Sequence, residues 1–264
     1  MRAHLVQTDI VWEDREANHA LVGRMLDGVD ATEGDLIVLP ELFDVGFSLD
    51  LDAAPDHEAE TLKFLLRLAD DLGVTVHGGR AVQPCDCDKA MNMATITAAG
   101  GDDGRLVCEY AKMHPFSFGR EPESYKGGNS VELYDWVSGE ESIKVCPAVC
   151  YDLRFPELFR IGAKRGAECF VIGANWPSAR AAHWRALLIA RAIENQAFVL
   201  GVNRAGDDPY LSYAGGSIAV SPMGEVIGEL GDEAGVLSVQ IEPGAVREWR
   251  VKFPALRDIK LLRD

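Results

Sequence analysis

The stretch Val145–Phe159, with the sequence VCPAVCYDLRFPELF, joins a strand-like segment to a helix-like segment through a polar turn. Its apolar first half ends in Cys150, and a helical pattern begins near Pro156. Backbone N–H groups at such a junction favour negative charge on a thiolate or on a developing oxyanion. Two interpretations of Cys150 follow, a catalytic nucleophile or a buried structural thiol, and the rest of the chain has to distinguish them.

The segments before this stretch alternate between strand and helix patterns. Strands are predicted at residues 4–10, 35–41 and 74–82, and helices at residues 13–27 and 62–72. This order is typical of a layered α/β architecture. Residues 91–98, 106–110 and 142–150 then have strand patterns with no helix between them, which favours antiparallel pairing in part of the sheet.

The segments after Cys150 continue this mixture. Helices are predicted at residues 156–164, about 179–195 and 244–251, and strands at residues 168–174, 197–203, 216–221, 225–229 and 235–241. Open sheets of about ten or more strands commonly split into two packed layers. The predicted fold is therefore an α/β, four-layer α-β-β-α sandwich with two mixed sheets. Because no Gly/Ser-rich or Pro-rich linker divides the chain, we expect one domain over residues 1–264.

Composition excludes several classes of function. The formal net charge of −16 disfavours nucleic acids and anionic membranes as partners, because phosphate binding needs Lys and Arg. No apolar run approaches the ~20 residues that span a bilayer, and the N-terminal segment lacks a signal-peptide pattern, so we expect a cytoplasmic protein. Six irregularly spaced cysteines do not suggest a disulfide scaffold. The pair Cys85 and Cys87 lacks the further ligands that a zinc site needs, so no metal is expected.

Two more reactive side chains follow predicted strands. Glu41 ends the apolar run 35–41, at the position where open α/β folds bind ligands and where partial burial suits a general base. Lys112 closes the strand 106–110 and begins a loop rich in aromatic residues. Their structural alternatives are a surface carboxylate and a solvated lysine. With Cys150 they would supply a base, an oxyanion-binding cation and a nucleophile, which is the chemistry of acyl transfer from an amide.

Three blocks, at residues 39–41, 112–114 and 149–157, resemble in order and spacing the signature blocks of the nitrilase superfamily, the carbon–nitrogen hydrolases. Further similar blocks lie at residues 174–177, 183–184, 190–195 and 214–224, so the resemblance covers nearly the whole chain. It implies a catalytic triad of Glu41, Lys112 and Cys150 on the same four-layer sandwich. It also implies cofactor-free hydrolysis of a non-peptide C–N bond through a thioester, and a homodimer that continues the sandwich.

The resemblance extends to a second glutamate and to a branch of the superfamily. Many members have another active-site glutamate soon after the lysine, and Glu121 is the matching position, with Glu123 as the nearby alternative. Lys-x-His-Pro-Phe, followed by a short loop to residues 127–128, looks like the omega-amidase branch, which releases ammonia from omega-amides of dicarboxylates such as 2-oxoglutaramate. Many omega-amidase-like sequences have Leu-Phe where this chain has Pro115 and Phe116.

Several alternatives stay open at this point. The same triad would serve a nitrile hydrolase or an N-carbamoyl hydrolase acting on a small molecule. From other classes, the alternatives are a non-catalytic binding protein on this fold and a metal-dependent hydrolase using Cys85 and Cys87. Substrate-binding residues are expected at Tyr151, whose backbone N–H follows the nucleophile, and at Asn175 and Trp176, which end the strand 168–174. The structural alternative for Trp176 is a core aromatic.

The remaining polar residues near these blocks are expected to hold the structure together. His114 is expected to be a hydrogen-bonded structural histidine. Residues expected to fix the turn after Cys150 by ion pairs are Asp152, Arg154 and Glu157. Arg191 lies on the apolar face of the helix 179–195, which predicts a buried or interfacial ion pair.

Overall fold

The computed structural model describes residues 1–100 and 104–261, in which the chain forms fourteen strands and six α-helices. The strands are β1 (Arg2–Gln7), β2 (Leu36–Val38), β3 (Thr75–Val82), β4 (Met91–Ala98), β5 (Arg105–Ala111), β6 (Tyr134–Ser138), β7 (Glu141–Val149), β8 (Cys169–Ala174), β9 (Phe198–Asn203), β10 (Ala205–Asp207), β11 (Ser212–Ala214), β12 (Ile218–Val220), β13 (Val226–Glu229) and β14 (Gly235–Gln240). The helices are α1 (Arg15–Leu26), α2 (Glu60–Leu72), α3 (Glu121–Ser124), α4 (Pro156–Lys164), α5 (Ala181–Asn195) and α6 (Pro243–Lys252).

Twelve of the strands form two six-stranded mixed sheets. The first has the order β14-β1-β2-β3-β4-β5 and the second the order β13-β12-β9-β8-β7-β6. Each sheet has three parallel strands at its centre, β1-β2-β3 in one and β7-β8-β9 in the other. Antiparallel strands flank both centres, as the helix-free strand segments of the sequence predict.

The two sheets pack face to face, and the helices cover their outer faces. In β2, Leu36 and Val38 enter the core between the sheets, whereas Ile37 packs outward with Leu65 of α2. On the second sheet, Phe159 of α4 packs against Phe170 of β8, with ring centroids 5.1 Å apart. Burying each such large side chain stabilises the fold by about 1.5–3 kcal/mol. The predicted four-layer α-β-β-α sandwich is confirmed.

Three short strands differ from the sequence-based prediction. Strand β6 and the hairpin β10–β11 were not predicted, because they are short and contain polar residues instead of an apolar run. In β6, buried and exposed residues alternate, which is the period-two pattern of a half-buried strand. Among the helices of the described residues, none is long and apolar enough to cross a membrane.

The backbone at Glu41 lies in the seam between the two sheets, where two glycines make room for it. A Cβ atom on Gly79 of β3 would lie 2.5 Å from the backbone N of Leu42 and 2.9 Å from the Cα of Glu41. A Cβ atom on Gly173 of β8 would lie 3.1 Å from the backbone N of Glu41. Both sheets therefore approach this turn closely: a side chain at position 79 would displace the backbone, and one at position 173 would press against it.

Candidate active site

Glu41 is fully buried, and its carboxylate is held by partners from three different strand ends. Its Oε1 accepts hydrogen bonds from Lys112 Nζ at 2.7 Å and from Asn92 Nδ2 at 2.7 Å. Its Oε2 accepts a hydrogen bond from the backbone N of Asn175 at 2.9 Å. Lys112 follows β5, Asn92 lies in β4 and Asn175 follows β8, so both sheets contribute to the position of one carboxylate.

Lys112 lies between two carboxylates. Its Nζ is 2.7 Å from Glu41 Oε1 and 2.8 Å from Glu121 Oε2. Glu121 is also fully buried, and it accepts hydrogen bonds from Asn92 Nδ2 and from the backbone N of Phe116. Glu123, the alternative in the sequence, is exposed and pairs with Arg120. The structure therefore places Glu121, and not Glu123, beside the lysine.

The Lys112 side chain stays an ammonium in these surroundings. Burial alone would lower the pKa of the lysine. The charges of Glu121 and Glu41 raise the pKa by more than burial lowers it, so the net pKa is well above the usual range. A fixed positive charge in a water-poor site attracts a developing oxyanion strongly.

Cys150 follows β7 directly and adopts a left-handed backbone conformation, with φ of 45°. Its thiol donates a hydrogen bond to the carbonyl oxygen of Asn175, with an Sγ to O distance of 3.8 Å, and the residue is 8% exposed. A strained backbone at the end of a strand commonly marks a functional residue. We call Glu41, Asn92, Lys112, Glu121 and Cys150 the buried cluster.

The surroundings of the Cys150 thiol disfavour its ionised form. Burial, then the charge of Glu41, raise the pKa of the Cys150 thiol well above its usual range, and the Lys112 charge offsets only part of this. The backbone N–H groups, which are expected from the sequence to favour negative charge here, are therefore opposed by burial and by the charge of Glu41. A cysteine of this kind needs a base that accepts its proton during attack, and Glu41 is the neighbouring carboxylate.

Asp152 ties the loop after Lys112 to the turn after Cys150. Its carboxylate is fully buried and accepts hydrogen bonds from the backbone N of Val149 at 3.0 Å and from the Tyr110 hydroxyl at 2.7 Å. It also lies 2.8 Å from His114 Nδ1 and accepts the backbone N–H of His114 at 3.0 Å. The expected structural roles of Asp152 and His114 agree with these contacts.

Arg191 supports the same turn from the other side. It is buried, its Nη2 donates to the carbonyl oxygen of Leu153 at 2.7 Å, and its Nη1 pairs with Glu194 at 2.9 Å. The predicted ion pair is confirmed. Its partner, Glu194, lies outside the apolar stripe of the helix. The two side chains still meet, because residues i and i+3 are neighbours on a helix.

A cavity of about 660 Å³ opens onto Cys150. The three residues expected to bind substrate, Tyr151, Asn175 and Trp176, all line it, and Trp176 is at the same time 3% exposed. Both interpretations of Trp176 therefore apply, because it is a core aromatic with one surface on the cavity.

Two arginines line this cavity without a carboxylate partner among the described residues. The guanidinium of Arg154 lies 4.9 Å from the ring centroid of Trp176, and its Nη2 is 3.2 Å from His183 Nδ1. The guanidinium of Arg180 lies 5.3 Å from the ring centroid of Phe116. The expectation that Arg154 fixes the turn by an ion pair is wrong, because its side chain turns to the cavity. We call Arg154 and Arg180 the arginine pair.

Comparison with known proteins agrees with this geometry. A profile of the carbon-nitrogen hydrolase family matches residues 2–251. The chain belongs to that family.

Individual members of the carbon-nitrogen hydrolase family match over nearly the full length. Omega-amidase YafV of Escherichia coli is 35% identical over 98% of this chain and 96% of its own. The 2-oxoglutaramate amidase of Bacillus subtilis is 34% identical over 88% of this chain and 87% of its own. The crystal structure of a CN-hydrolase superfamily protein from Xanthomonas campestris, which carries an arsenic adduct in its active site, has a TM-score of 0.89 and 33% identity. It covers 100% of this chain and 98% of that chain.

Sequence reasoning on this carbon-nitrogen hydrolase missed three residues of the site. Asn92, Arg180 and the ring of Phe116 all take part in the contacts above. A buried asparagine inside the apolar strand β4 was the available signal for Asn92. Arg180 lies just before α5 and carries no comparable signal. Among the described residues, Cys85 and Cys87 are free thiols and belong to no group of three or more side chains that would hold a metal ion.

Proposed function

We propose that this carbon-nitrogen hydrolase cleaves the terminal amide of a small, carboxylate-bearing omega-amide and releases ammonia. The observation that carries the proposal is the presence of the arginine pair, free of carboxylate partners among the described residues, in the cavity that contains Cys150. Two guanidinium groups that line one cavity suit a carboxylate. Relatives named omega-amidase and 2-oxoglutaramate amidase support the same substrate class.

In the proposed first half of the reaction, Glu41 takes the proton from the Cys150 thiol while the sulfur attacks the amide carbon. The tetrahedral oxyanion is stabilised by the Lys112 ammonium and by the backbone N–H of Tyr151. The protonated Glu41 then gives its proton to the amide nitrogen, the C–N bond breaks and ammonia leaves. A thioester between the acyl group and Cys150 remains.

In the proposed second half, Glu41 takes a proton from a water molecule, and the resulting hydroxide attacks the thioester carbon. The second oxyanion occupies the same site, and the C–S bond breaks as Cys150 regains the proton from Glu41. Glu121 and Asn92 hold Lys112 and Glu41 in place throughout, because Glu121 accepts a hydrogen bond from Lys112 and Asn92 donates to both Glu41 and Glu121. Side chains, a backbone N–H and water supply every group in this cycle.

The test is a screen for ammonia release with matched substrates. Succinamate carries the carboxylate, and levulinamide replaces it by a neutral methyl ketone of similar shape. A carboxylate held by guanidinium hydrogen bonds should raise kcat/KM for succinamate about 10- to 100-fold over levulinamide. The Cys150→Ala variant provides the blank. Equal rates with both amides, or faster turnover of a nitrile or an N-carbamoyl amino acid, would contradict the proposed substrate class.

A homodimer is part of the proposal and is supported by an exposed apolar patch. Ile193 of α5 and Met223 in the β12–β13 turn are each more than half exposed. The turn that carries Met223 lies against Ile193, because a Cβ on the next residue, Gly224, would lie only 2.4 Å from the Ile193 side chain. A second copy would remove this patch from water. Light scattering should give twice the mass of the chain, and Ile193→Glu should shift the mass towards that of a monomer.

Two further expectations stay proposals. The family profile over residues 2–251 supports one domain across residues 1–264. The free state of all six cysteines suits a reducing compartment such as the cytoplasm. Localisation of a tagged, active enzyme after cell fractionation would test the latter.

A further inference from the structure

The aromatic ring of Phe116 contacts both Arg180 and Tyr151, the residue after the nucleophile. Its centroid is 5.3 Å from the Arg180 guanidinium and 4.9 Å from the ring centroid of Tyr151. A guanidinium within about 6 Å of an aromatic face is attracted to it. The backbone of Arg180 is held by hydrogen bonds with Pro177 and with the Trp176 side chain. Its guanidinium is held by the contact with Phe116.

The backbone of Phe116 is tied to the buried cluster. Its N–H donates to Glu121 Oε2, and the same carboxylate contacts Lys112 Nζ at 2.8 Å. The ring that touches Arg180 therefore belongs to a residue whose backbone is fixed relative to the catalytic lysine. Because the ring and the backbone N–H belong to one residue, Phe116 limits the change in distance between Arg180 and the buried cluster.

The ring also has little freedom to move. A Cβ atom on Gly119 would lie 2.5 Å and 2.9 Å from two carbons of the Phe116 ring, so the backbone of Gly119 packs directly against its edge. Tyr151 limits the ring on another side. The conformation of Gly119 itself lies outside the left-handed region, so this close approach, and not a backbone requirement, accounts for a glycine here.

We infer that Phe116 is a specificity-determining positioning residue, which holds the Arg180 guanidinium in the cavity at a fixed place relative to Lys112 and Cys150. A long arginine side chain loses substantial rotamer entropy when it binds a carboxylate, and a pre-positioned one loses less. The inference rests on the proposed function, because it assigns Phe116 to recognition of the substrate's carboxylate.

The experiment compares kcat/KM for succinamate and for levulinamide in four variants. Phe116→Leu removes the aromatic face but keeps an apolar side chain and the backbone N–H. It should lower the succinamate-to-levulinamide ratio roughly 3- to 30-fold, mainly through KM for succinamate. Phe116→Tyr should retain the ratio. Gly119→Ala, which displaces the ring without changing it, should lower the ratio in the same direction. Phe253→Leu is the matched control, because Phe253 is an exposed phenylalanine that does not line this cavity.

A double-mutant cycle tests whether Phe116 acts through Arg180. In an Arg180→Met background, Phe116→Leu should produce no further fall in the ratio. A further fall of the original size, or an equal loss with both substrates in the single variant, would overturn the inference while leaving the proposed function in place. A wild-type enzyme that does not prefer succinamate would overturn the proposed function, and the inference with it.

Discussion

The buried cluster, which reaches the cavity through Cys150, and the arginine pair, which lines the cavity, have opposite electrostatic arrangements. In the buried cluster, Lys112 contacts two carboxylates and Asn92 donates to both of them. In the arginine pair, each guanidinium lies over an aromatic ring, and neither has a carboxylate partner among the described residues. In the first region the cation and the two carboxylates already neutralise one another, and the second region has positive charge that a ligand can neutralise.

This difference separates reaction chemistry from substrate choice. Groups that already bind one another hold a fixed geometry, which is what an oxyanion site and a general base require. Groups without a partner remain available, and a charged ligand group gains the most from them. Substitutions in the two regions should therefore differ in their effects on turnover, on the free energy of unfolding and on substrate preference. The largest effect is expected on turnover and the smallest on the reactivity of the thiol.

The largest effect is expected for Glu41→Gln. The glutamine has nearly the same shape but does not accept the thiol proton, so kcat should fall by about 10²- to 10⁴-fold with every amide. Steady-state kinetics with succinamate and levulinamide, together with a thermal melt to confirm folding, measure this. Glu123→Gln is the matched control, because that carboxylate is exposed and pairs with Arg120. Retention of a tenth of the wild-type kcat by Glu41→Gln would exclude Glu41 as the base.

Loss of a cation should lower the free energy of unfolding much more in the buried cluster than in the arginine pair. Lys112→Ala leaves Glu41 and Glu121 buried without their cation, and the free energy of unfolding should fall by about 3–5 kcal/mol. Arg180→Ala removes a cation that has no carboxylate partner among the described residues and should change it by less than about 1 kcal/mol. Urea denaturation measures both. Equal losses would mean that the arginine pair is as tightly integrated in the fold as the buried cluster.

Substrate preference should respond mainly to the arginine pair. Arg154→Met and Arg180→Met keep an unbranched side chain but lose the charge, and each should lower kcat/KM for succinamate by about 10- to 100-fold. The effect on levulinamide should be smaller, because it has no carboxylate. Arg120→Met provides the control, since Arg120 lines the same cavity but pairs with Glu123. Equal losses for both amides would show a general loss of structure instead of lost recognition.

The smallest effect concerns the thiol itself and the pH dependence of its reactivity. Because the pKa of Cys150 is raised by burial and by Glu41, alkylation by iodoacetamide should accelerate from about pH 7 to about pH 9 without a plateau. Glu41→Gln removes a negative charge that raises this pKa, so alkylation near neutral pH should become several-fold faster although turnover falls. Mass spectrometry of the Cys150 peptide, with exposed Cys85 as reference, measures both. A plateau near neutral pH would indicate a resting thiolate.

Three residues of the buried cluster were candidates from the sequence pattern, Glu121 was indicated only by the resemblance to the nitrilase superfamily, and Asn92 was indicated by neither. Glu41, Lys112 and Cys150 each follow an apolar strand-like run, and the carboxyl ends of such strands meet at one edge of a sheet. The same periodicities predicted α4 and β4 with the bounds that the structure has. Lys112 and Glu41 are 71 residues apart, yet the strand ends alone bring them together.

The arginine pair was not predictable in the same way. Arg154 follows a turn rich in charged residues, and that pattern favours an ion pair, whereas the folded chain turns its side chain onto Trp176. Arg180 and Phe116 are 64 positions apart in a short helical turn and a loop, and neither has a periodic pattern that fixes its direction. Side-chain direction in such segments depends on tertiary packing, here the close contact of Gly119 with the Phe116 ring.

Gly79 and Gly173 lie against the backbone at Glu41, so the position of the base depends on the packing of the whole fold. Gly79 belongs to one sheet and Gly173 to the other, so the base is placed by the spacing of two sheets and not by a surface loop. Segments that open locally are those with few buried contacts, and this seam is the opposite. Heat should therefore inactivate the enzyme in a single step that coincides with global unfolding, without a milder stage in which the sandwich persists and the base is displaced.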